Sequence, residues 1–154
     1  MLTREIFQQA MDRIDHAVII CNEHLKFIYW NEAAKKILLN YETVKDDENW
    51  QRKYGIFRMD METRYSDDDL PIVRAVKKGT VAKEKIFVTN EEIPDGVYLQ
   101  VDSFPVINEK GIIIAGVASF NDITKEIKIE KFVDDLSKKL DHLMMQIKKH
   151  FLNA

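Results

Sequence analysis

The stretch Ile112-Ile113-Ile114-Ala115-Gly116-Val117-Ala118-Ser119-Phe120-Asn121-Asp122-Ile123-Thr124 decides the fold. Ile112, Ile114, Gly116, Ala118 and Phe120 alternate with Ile113, Ala115, Val117 and Ser119, so both faces of a strand here are apolar. A sheet with one wet face alternates polar and apolar residues instead. Something therefore covers each side of this strand. After Phe120 the period changes. The chain runs from Asp122 to about Phe151 without Gly or Pro, and Asp122 or Thr124 can cap the helix this predicts. Ile129, Val133, Leu136, Leu140, Leu143 and Ile147 follow in steps of four and three, which is a coiled-coil seam. At 1.5 Å per residue such a helix is roughly 40 Å long, too long to bury against so small a domain. A second helix beside it is expected, from a second copy of the chain; the alternative is a single amphipathic helix folded back on the sheet.

Upstream, Lys83 to Thr89 and Val97 to Val106 read as two further strands, joined through Asn90 to Gly96 and then through Asn108-Glu109-Lys110-Gly111. Short connections imply antiparallel neighbours. Ala17-Val18-Ile19-Ile20-Cys21 and Leu25-Lys26-Phe27-Ile28-Tyr29-Trp30 form a hairpin around Asn22-Glu23-His24, and Asn31 can cap a short helix from Glu32 to Leu39. Residues 40 to 66 are polar, with Asp46-Asp47-Glu48 read as a solvated loop. Asp68 to Gly79 reads as a helix with acids before it, Pro71 in its first turn, Lys77 and Lys78 in its last and Gly79 as its stop. Leu2, Ile6, Phe7, Ala10, Met11 and Ile14 make one stripe on an N-terminal helix, placed to cover the outer face of the sheet together with a second subunit. The expected class is α+β: a five-stranded antiparallel sheet with short helices on one face, an amphipathic N-terminal helix and a long C-terminal coiled-coil helix. The expected divisions are 1–14, 15–122 and 123–154.

Composition excludes several functions. A net charge of −3 offers no general attraction to nucleic acid or to an anionic membrane. No apolar run reaches the roughly 18 to 20 residues that span a bilayer, and the N-terminus lacks a signal peptide's pattern, so a cytoplasmic protein is expected. The single cysteine, Cys21, allows neither an internal disulfide nor a Cys-based zinc site, and no metal site is expected. His142 and His150 lie two helical turns apart, and Asp67-Asp68-Asp69 lacks the Gly and distal Glu of a calcium loop. No nucleophile elbow, P-loop or His-Glu-x-x-His motif occurs, and the expectation is that the protein is not an enzyme.

Three stretches carry a family resemblance. Ile28-Tyr29-Trp30-Asn31-Glu32-Ala33-Ala34 resembles the Asn-x-Ala start of the first helix in PAS domains. Leu70-Pro71-Ile72-Val73-Arg74-Ala75-Val76-Lys77-Lys78-Gly79 is similar to a helix of PAS domains in bacterial sensor histidine kinases. Asp122-Ile123-Thr124 matches the Asp-Ile-Thr signature before the signalling helix. The resemblance spans roughly residues 15 to 125. It implies a sensory or regulatory module of signal transduction, as in two-component systems, which encloses a small pocket and passes a change to its C-terminal helix. Asp122 and Thr124 are then the relay residues, and an effector such as a histidine kinase is a possible partner.

Strand alternation puts Leu99, Val101, Ser103, Ala118 and Phe120 on the pocket side, with Val76 from the helix, as candidate ligand-binding residues. Trp50, Tyr54 and Phe57 either close the pocket or anchor a loop. Dimerisation is assigned to Phe7, Ile129, Val133, Leu136, Leu140, Leu143 and Ile147. The cofactor stays unassigned. The family's covalent flavin needs a Cys on a central helix, whereas Cys21 sits in a strand, and its haem needs an axial His that Leu70 to Lys78 lacks, so both are disfavoured. Noncovalent flavin or a small organic ligand fits this reading. So does the alternative, a purely structural dimerisation module with a filled pocket and no ligand.

Overall fold

The computed structural model describes residues 1–39, 42 and 49–153; the loop expected at Asp46-Asp47-Glu48 lies outside them. The chain forms two compact units, Met1–Asp122 and Ile123–Ala154.

In the first unit the elements run α1 (Arg4–Asp12), β1 (Ala17–Asn22), β2 (Phe27–Trp30), α2 (Glu32–Ile37), α3 (Trp50–Tyr54), β3 (Ile56–Phe57), a 3-10 turn (Asp67–Asp69), α4 (Pro71–Lys78), β4 (Ala82–Asn90), β5 (Ile93–Ile107) and β6 (Ile113–Asp122). The strands form one antiparallel sheet in the order β2-β1-β6-β5-β4-β3. The α+β class and the antiparallel sheet are as expected. A sixth strand is added, the two residues of β3 pairing Ile56 with Val88 and Phe57 with Phe87. It is too short to leave a period in the sequence.

Three other details differ from expectation. The acidic run forms its own 3-10 turn, and α4 begins at Pro71 with Leu70 as N-cap, because proline's fixed φ suits the first helical position and disfavours α geometry in the residue before it. Pro94-Asp95-Gly96 lies inside β5, since Asn90 makes the turn: its Oδ1 accepts from the amides of Glu92 and Ile93. A register shift between Val106 and Ile107 breaks the alternation of β6, pairing Ile113 with Ile107 and leaving Ile112 and Ile114 exposed.

One face of the sheet holds the core. Ile19, Leu99, Val101, Ala118 and Phe120 meet Leu70, Ile72, Val73 and Val76 above them. Gly116 permits this closeness: a Cβ there would come within 2.6 Å of Val76 Cγ2 and 3.3 Å of the Ile72 carbonyl. Gly79 ends α4 in the left-handed conformation, φ +67°. On the opposite face α1 meets Tyr29, with the Phe7 and Tyr29 ring centroids 5.4 Å apart. Its coverage is smaller than expected. No residue of α1 is buried, and Phe104 and Ile114 stay exposed in the chain. A nine-residue helix is about 13 Å long, short of a six-stranded sheet about 24 Å across.

The second unit is α5 (Thr124–Leu152), 29 residues of uninterrupted helix. Its N-cap residue is Ile123, with no side-chain cap hydrogen bond, where Asp122 or Thr124 was expected to cap.

Candidate functional site

The first unit contains a cavity of about 60 Å³ between α3, the start of α4 and the inner face of the sheet. Its sheet wall comprises Ile19, Ile56, Ile86, Val88, Leu99, Val101, Ala118 and Phe120; among the described residues Leu38, Trp50, Tyr54, Leu70, Pro71 and Ile72 line the other side, and the pocket is partly open. Of the ligand-binding residues expected from sequence, Leu99, Val101, Ala118 and Phe120 line it, whereas Val76 and Ser103 do not. Val76 lies one turn beyond Ile72 on α4, seated over Gly116. Ser103 pairs with Ala118 and with Ala82, one step along β5 from Val101 on the same face, and it is buried. Trp50 and Tyr54 belong to the wall, and Phe57 lies on β3.

Four aromatic rings stack at one end of this cavity. Phe27 packs against Trp30 at 4.9 Å, Trp50 at 4.7 Å and Tyr54 at 6.4 Å between centroids. Trp50 Nε1 donates to the Leu25 carbonyl at 3.1 Å, which spends its one polar group outside the cavity. Both tryptophans of the chain, Trp30 and Trp50, belong to this cluster.

At the β4 side a polar clamp joins helix to sheet. Arg74 of α4 forms an ion pair with Glu84 of β4, and the Tyr65 hydroxyl donates to Glu84 Oε1 at 3.2 Å. The Arg58 guanidinium stands over the Tyr65 ring at 4.1 Å. Glu84 is the register partner of Val101, so the clamp adjoins the cavity wall. Sequence reasoning missed it because residues 58–65 carry no periodic signal that would place them beside β4.

Cys21 is fully buried opposite Gly116, and burial pushes its thiol up to about 11, so it is protonated and unreactive at neutral pH. Among the described residues no group of three or more His, Cys, Asp or Glu is placed to hold a metal ion.

Asp122 ends β6 opposite Leu99, so the strand that contributes Phe120 and Ala118 to the cavity leads directly into Ile123 and the Thr124 start of α5. Along α5, Ile129, Val133, Leu136, Leu140, Leu143 and Ile147 are each between 49% and 58% exposed. Phe7, grouped with them from sequence, is half-buried against Tyr29 of its own chain. No helix among the described residues is long and apolar enough to cross a membrane.

A sheet wrapped by short helices around an apolar core cavity, continued by a helix with an open apolar seam, describes a class of sensory domain. The family model for the PAS domain matches residues 15–125, and the chain belongs to the PAS domain family. PAS domains are, as a family, sensory modules of signal transduction.

Solved structures share the fold. An RNA-binding light-oxygen-voltage receptor matches at TM-score 0.67 and 14% identity over 89% of this chain, which spans only 38% of that receptor chain. The PAS domain of a protein from Colwellia psychrerythraea matches at TM-score 0.58 and 13% identity, over 79% of this chain and 97% of its own. A sensory box histidine kinase/response regulator from Burkholderia thailandensis matches at TM-score 0.55 and 16% identity, over 88% and 98%. No curated protein sequence matches the chain.

Proposed function

We propose that this chain is a sensory or regulatory module, not an enzyme, which pairs with a second copy through α5 and passes a change in its core along β6 to that helix and on to an effector such as a histidine kinase. The observation that carries this reading is the seam of α5. Six large apolar side chains at heptad spacing remain about half exposed on a helix of 29 residues. In a parallel pair Val133, Leu140 and Ile147 occupy the a positions and Ile129, Leu136 and Leu143 the d positions; Val133 and Ile147 at a with Leu136 and Leu143 at d suit two strands, whereas Leu140 and Ile129 are the reverse. Lys125 at g then faces Glu130 at e of the second copy, an attractive contact. The link to the core is the short path from Phe120 through Asp122 to Thr124.

The test is the oligomeric state of the full chain. Leu136→Asp with Leu143→Asp places four carboxylates in the seam of a pair, and light scattering should report the monomer mass where the unaltered chain gives twice that. A dimer that survives both substitutions sinks the reading.

One observation favours a second reading, a structural dimerisation module that senses nothing. The cavity, at about 60 Å³, is well below the roughly 300–1,000 Å³ of ordinary ligand sites. Native mass spectrometry and an absorption spectrum of freshly purified protein separate the two: a copurifying molecule favours the sensor, and a bare polypeptide mass favours the structural module.

A further inference from the structure

We propose that the paired α5 helices form a docking surface for an acidic amphipathic helix of a partner protein. That helix lies in the groove beside the seam, on Met144 and Phe151, with Lys139, Lys148 and Lys149 around it. The inference rests on the parallel pairing read above and deepens it by naming the kind of partner the pair takes.

Three observations carry it. The first is the width of the apolar stripe. In a parallel pair each groove is bounded by the e positions of one helix and the g positions of the other. A two-stranded coil closes that groove with opposite charges, as Lys125 and Glu130 do in the first heptad. Beyond them the facing pairs are Phe132 with Ser137, Lys139 with Met144 and Gln146 with Phe151, none of them ionic. Phe132, Met144 and Phe151 are between 62% and 75% exposed. Apolar residues at e or g as well as at a and d make the broader stripe of a bundle helix, which packs against more than one neighbour. The second is charge. Thr124 to Asp135 carries three lysines and four acids, whereas Leu136 to Leu152 carries four lysines and one acid, Asp141. Lys138 pairs with Asp134 at 2.9 Å. Lys148 and Lys149 have no acid three or four positions away. Lys148 at b borders the e side of the groove, and Lys139 at g and Lys149 at c of the second copy border the other, so both banks are positive. Acidic residues flanking the apolar stripe of a docked helix complement both. The third is the kind of side chain. Methionine is flexible and polarizable, so it conforms to a partner's apolar face. A flat anionic membrane fits this surface less well. Asp141 lies one turn before both Met144 and Met145, and its carboxylate would be carried to the lipid with them.

The probe is a synthetic amphipathic peptide of about 21 residues, three heptads of leucine, alanine and glutamate, labelled with fluorescein. Its anisotropy is followed as the full chain is added, beside the same peptide with lysine in place of glutamate. The acidic peptide should bind saturably at two per pair, at least tenfold tighter than the basic one, and more weakly as salt is raised. Met144→Gln with Phe151→Gln should weaken it at least tenfold while light scattering still gives twice the chain mass. Lys148→Glu with Lys149→Glu should reverse the preference between the two peptides. No binding of the acidic peptide to the paired chain, equal affinity for both peptides, or binding untouched by these substitutions overturns the proposal. So does sedimentation of the full chain with phosphatidylserine vesicles that Met144→Gln with Phe151→Gln abolishes, which makes the face a membrane site. A monomer mass for the unaltered chain defeats the pairing itself, whereas a paired chain that ignores the peptide defeats only this inference.

Discussion

Replacing Asn31 should destabilise the first unit more than any other single polar change, and the structure says by how much. Asn31 is wholly buried, and its amide makes four hydrogen bonds. Oδ1 accepts from the backbone amides of Val18 at 2.9 Å and Ala34 at 3.0 Å; Nδ2 donates to the carbonyls of Met11 at 3.1 Å and His16 at 2.8 Å. One side chain thus caps α2, closes the start of β1 and holds the end of α1. Asn31→Leu keeps the volume and orphans two buried N–H groups at about 1–3 kcal/mol each, with smaller losses at the two carbonyls, so about 4 kcal/mol is expected. Asn31→Asp is the sharper test. It retains the Oδ1 acceptor but turns the donor into an oxygen facing two carbonyls, so the folded state favours the protonated carboxyl. A group whose folded pKa is raised gives stability at low pH that is lost as pH climbs through the folded value. The Asn31→Asp chain should therefore gain stability relative to the unaltered one as pH falls from 7 to 5. Urea unfolding at fixed protein concentration, followed by the fluorescence of Trp30 and Trp50, measures both effects. A loss under about 1 kcal/mol for Asn31→Leu, or no pH dependence of the Asn31→Asp difference, refutes the reasoning.

Further outcomes follow from packing and charge. Ala118→Val should raise the melting temperature in calorimetry, since an empty 60 Å³ at about 24 cal/mol per Å³ costs no more than about 1.4 kcal/mol, part of which two added methyl groups recover. Gly116→Ala should cost about 1–3 kcal/mol in urea unfolding, because its Cβ would lie 2.6 Å from Val76 Cγ2 and push α4 off the sheet. Glu84→Gln should cost about 1–2 kcal/mol, less than a fully buried ion pair because both side chains are a quarter exposed, and hydrogen exchange should quicken in α4 and β4. Cys21 should ignore thiol reagents at pH 8 until urea unfolds the chain. Its pKa is raised from 9.0 to about 11, so the stability gained by keeping it neutral is intact below pH 9 and lost towards 11. Cys21→Ala should accordingly lose less stability than the unaltered chain over that window.

What the sequence reveals here depends on whether a feature is local or made by contact. The seam of α5 is a one-dimensional pattern, and Ile129 to Ile147 could be read from spacing alone. The double apolar alternation of β6 likewise announced the strand, although its outer face is covered less than that pattern led one to expect. Face, however, is not position. Alternation correctly put Leu99, Val101, Ser103, Ala118 and Phe120 on one side of the sheet, yet the cavity stops short of Ser103, and its extent depends on where α4 crosses. That crossing is set by a contact, Val76 and Ile72 settling onto the bare backbone of Gly116, which no spacing encodes. Bulges are equally silent: the shift at Val106/Ile107 exposes Ile112 and Ile114, which periodicity had aligned with Gly116. Asn31 shows both sides in one residue. Its cap on α2 is a bond three residues away and visible in the sequence, whereas its bonds to Met11 and His16 cross 20 and 15 residues and exist only once the sheet has formed. The legible half of Asn31 is helix chemistry; the other half ties α1 to the core.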